Sequence, residues 1–163
     1  MSHQPVIDGF EFASAGAAQH GMMPIREFPR LCDLLASDAG EVAYTVRGAR
    51  DERGRPGLRV GVRGVLQLRC QRCLEPLAFE LQAEALLVLA ATQAEIDADP
   101  VDASVPDRVL AGKEMAVREL VEDELILALP YAPRHERCAG AATSREKMLS
   151  PFVGLRSLLR VKH

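Results

Sequence analysis

The chain has 163 residues, 48% hydrophobic and 26% charged, with a formal charge of −3, which is the usage of one moderate globular domain with its own core. Aromatic residues make up only 4% and Trp is absent, so the core must be built from Leu, Val, Ile and Ala, and a platform of rings for stacking bases is disfavoured. The total charge is not that of a strongly basic nucleic-acid-binding domain, and no apolar run reaches the roughly 18 residues of a membrane helix.

The charge is uneven. Between Arg47 and Arg72 eight arginines face only Asp51 and Glu52, a local +6 that can steer an anionic partner. An Arg-rich solvated sheet face explains the same residues. The N-terminus has no basic head followed by an apolar run, so no signal peptide is expected. Cys32, Cys70, Cys73 and Cys138 are not spaced like a dense secreted disulfide scaffold, which favours a reducing, cytoplasmic setting.

In chain order, residues 1–24 show no clear period and read as a flexible N-terminal segment. Ile25 to Ala36 predicts a short helix, with Phe28, Leu31, Cys32 and Leu35 near helical spacing and Pro29 in its first turn. Cys32 is then a core thiol. Glu41 to Gly48 reads as a strand, followed by a polar turn over Arg50–Gly57. Leu58 to Cys70 is the strongest strand signal. Leu58, Val60, Val62, Leu66, Leu68 and Cys70 share one parity, and Arg59, Arg63, Gln67 and Arg69 the other.

Leu77 to Ala90 begins with the same alternation, its acids placed to pair with arginines across the sheet. Thr92 to Asp107 is acidic and reads as a loop. A helix is predicted from near Gly112 to Leu129, stopped by Pro130. Its last turn is apolar all round and so is expected to be deeply buried. Glu122, Asp123 and Glu124 are candidates for contact with a basic partner, and Glu124, inside the apolar stripe, for a buried polar contact to an arginine of the sheet. The fold class is α+β, a small antiparallel sheet packed with two or three helices. A compact domain over 25–138 is followed by a basic tail, 139–163, with a possible docking helix at Phe152, Leu155, Leu158 and Leu159.

The chemistry concentrates at Cys70-Gln71-Arg72-Cys73. His135 and Cys138 repeat its spacing 62 positions beyond Cys73. Three thiols and an imidazole are a ligand set for Zn²⁺, and Cys-x2-Cys lets two donors face one ion from a tight turn. The metal would then clip a hairpin to the exit of a helix. Metal-free packing of the thiols, or a redox pair at Cys70 and Cys73 with Arg72 lowering a thiol pKa, are the alternatives. No phosphate loop, metalloprotease His pair or nucleophile elbow is present.

Leu68-Arg-Cys-Gln-Arg-Cys-Leu-Glu-Pro76 resembles the signature of the YceD family, the bacterial large ribosomal RNA subunit accumulation proteins. Leu120-Val-Glu-Asp-Glu-Leu-Ile-Leu-Ala-Leu-Pro130, followed by Pro133, His135 and Cys138, resembles a second family stretch, and the segment from Ser150 to Leu158 a third. The lead-in Ala111-Gly-Lys-Glu114 departs from the hydrophobic or acidic lead-in frequent in that family. The resemblance implies a non-catalytic ribosome biogenesis factor supporting synthesis, processing or stability of 23S rRNA. Its partners would be that rRNA or its precursor, or a ribosomal protein. On this reading Arg59, Arg63, Arg69 and Arg72 would touch phosphates. A protein-only adaptor and a thiol–disulfide or RNA-processing enzyme are the competing functions.

Overall fold

Strict alternation over a long stretch needs a sheet wide enough to bury one face of it, and the chain supplies one. The computed structural model describes residues 5–99 and 105–138. These form β1 (Val6–Ile7), α1 (Gly9–Ser14), β2 (Ala18–Pro24), a 3₁₀ turn (Ile25–Glu27), α2 (Pro29–Cys32), β3 (Leu35–Ser37) and β4 (Glu41–Arg50). The chain continues through β5 (Pro56–Arg69), β6 (Pro76–Ala90), α3 (Gln93–Asp97), β7 (Arg108–Leu110), β8 (Met115–Ala116) and α4 (Val117–Leu127). The main sheet runs β2-β4-β5-β6-β7, with β3 pairing to β5, while β1 and β8 form a separate two-stranded ladder.

The architecture is α+β, a small sheet packed against several helices. It is mixed and not purely antiparallel. After β6 the chain folds back through α3 and returns along β7, parallel to Val88–Ala90. The connection is long enough for that crossover. Alternation cannot reveal it, because side-chain parity is the same in parallel and antiparallel pairs.

Inward residues of three strands make the core: Val42, Tyr44 and Val46 of β4, Leu58, Val60, Val62, Leu66 and Leu68 of β5, and Leu81 and Leu87 of β6. Val117, Leu120, Val121 and Leu125 of α4 close over them, as do Ile25, Phe28 and Leu31. Phe28 and Leu31 are fully buried, each contributing roughly 2 kcal/mol of hydrophobic stabilisation.

Residues 5–24 are not the patternless segment their composition suggests. Val6 and Ile7 pair with Ala116 and Met115, and the Gly9 and Val117 N–H groups donate to Gly112 and Pro5 carbonyls. Asp8 caps α1, its carboxylate accepting from the Glu11 N–H at 3.0 Å. Helix α1 lies so close to β4 that a Cβ at Gly48 would sit 2.5 Å from the Phe12 carbonyl oxygen.

The helix expected over 25–36 is divided. A 3₁₀ turn and the single turn α2 are followed by β3, because β4 reaches along β5 only as far as Gly64 and β3 takes the edge beyond, at Gln67 and Leu68. Helix α4 starts at Val117 and not near Gly112, since the preceding residues belong to β7 and β8. Its end is not deeply buried: Leu127 is 73% exposed. Inside the expected acidic loop, Thr92 caps α3. The proposed docking helix of the C-terminal tail lies outside the described residues.

The β4–β5 turn is held by Asp51, whose carboxylate accepts from the Arg53 and Arg55 N–H groups at 3.0 and 2.7 Å. Arg55 and Arg108 both reach Asp99, at 3.3 and 3.2 Å, tying this turn to β7. Arg55 is therefore neutralised within the chain.

Candidate metal centre and arginine face

The β5–β6 turn is the first half of the cluster. Cys70 follows the inward parity of β5 and is fully buried. Its N–H donates to the Glu75 carbonyl at 3.0 Å, and the Leu74 N–H returns to the Cys70 carbonyl at 2.9 Å. Leu74 adopts φ +64°, the left-handed conformation that lets the turn close. Beyond α4, Pro130 ends the helix and the chain doubles back. The Gln71 N–H donates to the Pro133 carbonyl at 2.8 Å, which lays the second loop against the first.

This brings the predicted four residues together. The Cys70 and Cys138 Sγ atoms are 3.6 Å apart, Cys73 Sγ is 3.3 Å from His135 Nδ1, and all four ligand atoms lie within 4.8 Å of one another. Metal–sulfur bonds of about 2.3 Å in a tetrahedron separate the sulfurs by roughly 3.7 Å. A disulfide would need about 2.05 Å, and all four cysteines are free. The cluster can therefore coordinate a metal ion.

The surroundings fit that role. The Pro76 carbonyl can only accept, so at 3.0 Å it holds the proton on His135 Nε2 and leaves the Nδ1 lone pair facing Cys73. Arg72 Nε donates to Cys138 Sγ at 2.9 Å and the Arg72 N–H to Cys70 Sγ at 3.4 Å. Burial pushes the Cys70 thiol up, but N–H groups of Cys73, His135 and Arg72 aimed at the sulfur outweigh it and bring it down to about 5. Cys73 goes the other way. The Glu75 N–H favours its thiolate, yet burial and the neighbouring Cys70 and Cys138 leave its pKa above the ordinary thiol value. Cys138 and Cys70 raise His135. Opposed shifts of this kind mark thiolates crowded around too little positive charge, which a divalent cation relieves.

Cys32 stands apart from the cluster. It packs against the core and donates to the Ile25 carbonyl at 3.3 Å, and burial raises its pKa.

Of the four arginines read as phosphate contacts, Arg59, Arg63 and Arg69 share the outer face of β5, spread over about 33 Å. Arg59 is engaged by Glu84 at 3.1 Å. This is the cross-sheet pairing expected from the alternation, made among the described residues by Arg59. Arg72 lies on the metal turn and is directed at Cys138. Glu41, Glu80 and Glu84 interrupt the face, so it is mixed in charge.

Two of the acidic triplet, Glu122 and Glu124, are turned inward and so do not form the partner surface read from the sequence. Glu122 is 2% exposed, and its Oε1 accepts from the Arg30 and Leu31 N–H groups at 2.7 and 3.2 Å, while Oε2 meets the Arg30 guanidinium. Helix α2 has no capping side chain of its own at Phe28, so Glu122 supplies the cap from α4. Glu124 is also buried, and among the described residues it makes no ion pair to an arginine of the sheet. Asp123 alone is exposed, at 2.7 Å from Arg30. Sequence reasoning singled out Glu122 but missed its capping role, although the signal was there. A helix opening at Phe28-Pro29 without Ser, Thr, Asp or Asn needs an acceptor from elsewhere.

A family model described as large ribosomal RNA subunit accumulation protein YceD matches residues 58–150. The chain belongs to the YceD family. The matched span opens in β5 and takes in both halves of the cluster and all of α4. The helices and strands before β5, including α2 and its Arg30, precede it. No curated protein and no solved structure matches the chain.

Proposed function

We propose that this YceD-family chain is a cytoplasmic ribosome biogenesis factor that supports 23S rRNA synthesis, processing or stability as a binding module and not as an enzyme. Family membership, covering the metal turn and α4 together, is the observation that carries this reading. The cluster fits a structural role because three thiols and an imidazole fill a tetrahedron, leaving no open position for a substrate. Zn²⁺ is the ion its donors suit best.

The partner surface in this reading is the outer face at Arg59, Arg63 and Arg69, continued by Arg72 at the turn. Exposed guanidinium groups along a strand can follow phosphates without reading bases, which suits a chain poor in aromatic residues.

The test is binding of the whole chain to a 23S rRNA fragment over a range of salt. Phosphate contact predicts a log–log slope that loses about 0.7 to 0.9 for each arginine removed, so Arg63→Ala with Arg69→Ala flattens it by about 1.5. Binding that ignores salt, or is unchanged in the double variant, refutes the phosphate surface and leaves a ribosomal protein as the partner.

A further inference from the structure

Among the described residues, strand β6 is paired along its whole length on one side and along very little of the other. Its register with β5 runs without interruption from Gly57↔Val88 to Arg69↔Pro76, whereas β7 covers only Val88–Ala90. The Val88 N–H donates to the Asp107 carbonyl, and Ala90 accepts from the Ala111 N–H, so these residues direct their backbone groups away from β5. With no bulge between, the same parity holds back along the strand. Ala78, Glu80, Gln82, Glu84 and Leu86 therefore present N–H and C=O groups to an open edge, and among the described residues no group hydrogen-bonds to them. The edge is bracketed. His135 occupies the Pro76 carbonyl at one end and the β7 connection takes Val88 at the other.

Natural sheets protect such edges with Pro, Lys, bulges or short strands. Leu77 to Leu87 has no Pro, Lys or bulge, and its only charges are Glu80 and Glu84, which repel acidic segments and favour basic ones. The layer beneath is also incomplete, since Phe79 and Ala83 are only partly buried where their counterparts on β5 are fully enclosed. We propose that this edge is a strand-addition site for an extended segment of a protein partner that alternates basic and apolar residues. Glu80 and Glu84 stand on the outer side of the edge and would face the basic residues. The apolar ones would complete the cover over Phe79 and Ala83. The bracketed stretch, Ala78 to Leu86, accepts about nine residues, close to 30 Å of strand. A second copy is disfavoured, because antiparallel pairing over the full edge sets Glu80 against the copy's Glu84. Among the described residues the edge meets the arginine face only where Glu84 pairs with Arg59, so the salt-slope test at Arg63 and Arg69 can fail without it.

Amide exchange on the isotope-labelled full chain tests this. In the free protein the amides of Ala78, Glu80, Gln82, Glu84 and Leu86 are expected to exchange fast, and those of Phe79, Leu81, Ala83 and Ala85 slowly. A ten-residue peptide alternating Lys and Val should slow the first set tenfold or more. A peptide of the same composition with Lys and Val in separate blocks should not. Gln82→Pro removes an N–H that the fold does not use and should abolish the protection. Glu80→Lys with Glu84→Lys should transfer the preference to a Glu–Val peptide, and serves if the proline variant is unstable. Protection already present in the free monomer, protection appearing only on dimerisation, or equal protection by both peptides would overturn the proposal.

Discussion

Replacing Glu122 tests whether one carboxylate holds α2 in place. Its Oε1 accepts two backbone N–H groups in the first turn of α2, at 2.7 and 3.2 Å, one of them from the fully buried Leu31. In Glu122→Ala both donors lose their acceptor where water does not easily replace it. Each orphaned donor costs about 1 to 2 kcal/mol, so the variant should lose about 3 kcal/mol. That is a large share of the 5 to 15 kcal/mol typical of a domain. Glu122→Gln keeps an oxygen at the Oε1 position and gives up only the side facing the exposed Arg30 guanidinium, so its loss should be much smaller. Arg30→Ala keeps both backbone bonds; it removes the exposed pair with Asp123, which contributes little, and the guanidinium facing the buried Glu122 Oε2, so its loss should fall short of that of Glu122→Ala without being negligible. Urea unfolding of the three variants, with m-values compared, separates these cases. Equal losses for Ala and Gln, or an Ala variant within about 0.5 kcal/mol of the parent, would refute the capping argument.

Metal analysis of untagged protein is expected to give one zinc per chain, falling below about 0.1 in Cys70→Ser and in Cys138→Ser separately; metal-free protein with an unchanged fold would refute the clip. Glu124 gives a pH signature. Burial, and behind it Asp107, raise its carboxyl pKa in the folded state, so the stability linked to it is fully present below the unfolded value and is lost as pH rises through the folded one. Glu124→Gln should therefore raise Tm near pH 7 and leave it unchanged below about pH 4, and the opposite trend would show that the carboxylate is stabilised by a partner.

The two long strands and the cluster were legible because their signals are local. Inward and outward parity along β5 follows from period two, and Cys-x2-Cys announces a turn whatever surrounds it. The long-range pairings were not legible. β1 and β8 are two residues each, too short for any period, and each exists only because the other is there. Asp8 and Glu11 carried a capping signal, as did Thr92 and Glu95, but each opens a helix of a turn or so that an apolar-pattern search passes over. Glu122 looked like a surface acid because charge is usually solvated, whereas the burial of Glu124 was legible from its place in the apolar stripe. What buries Glu122 is a donor turn 92 positions away, and a helical wheel holds no such information.

The metal turn does more than join two loops. His135 is both a ligand candidate and the group that occupies the Pro76 carbonyl, so an ion that fixed its ring would also fix where the open edge of β6 begins. Arg72 is both a neighbour of Cys138 and the end of the arginine face. Its Nε–H is aimed at the Cys138 sulfur, and three thiolates with a divalent ion would carry a net charge of about −1, which such a donor offsets. On the two proposed surfaces, occupancy of the cluster would act through His135 at the strand edge and Arg72 at the phosphate face. Removing the metal should disturb binding at either surface even where the sheet itself stays folded.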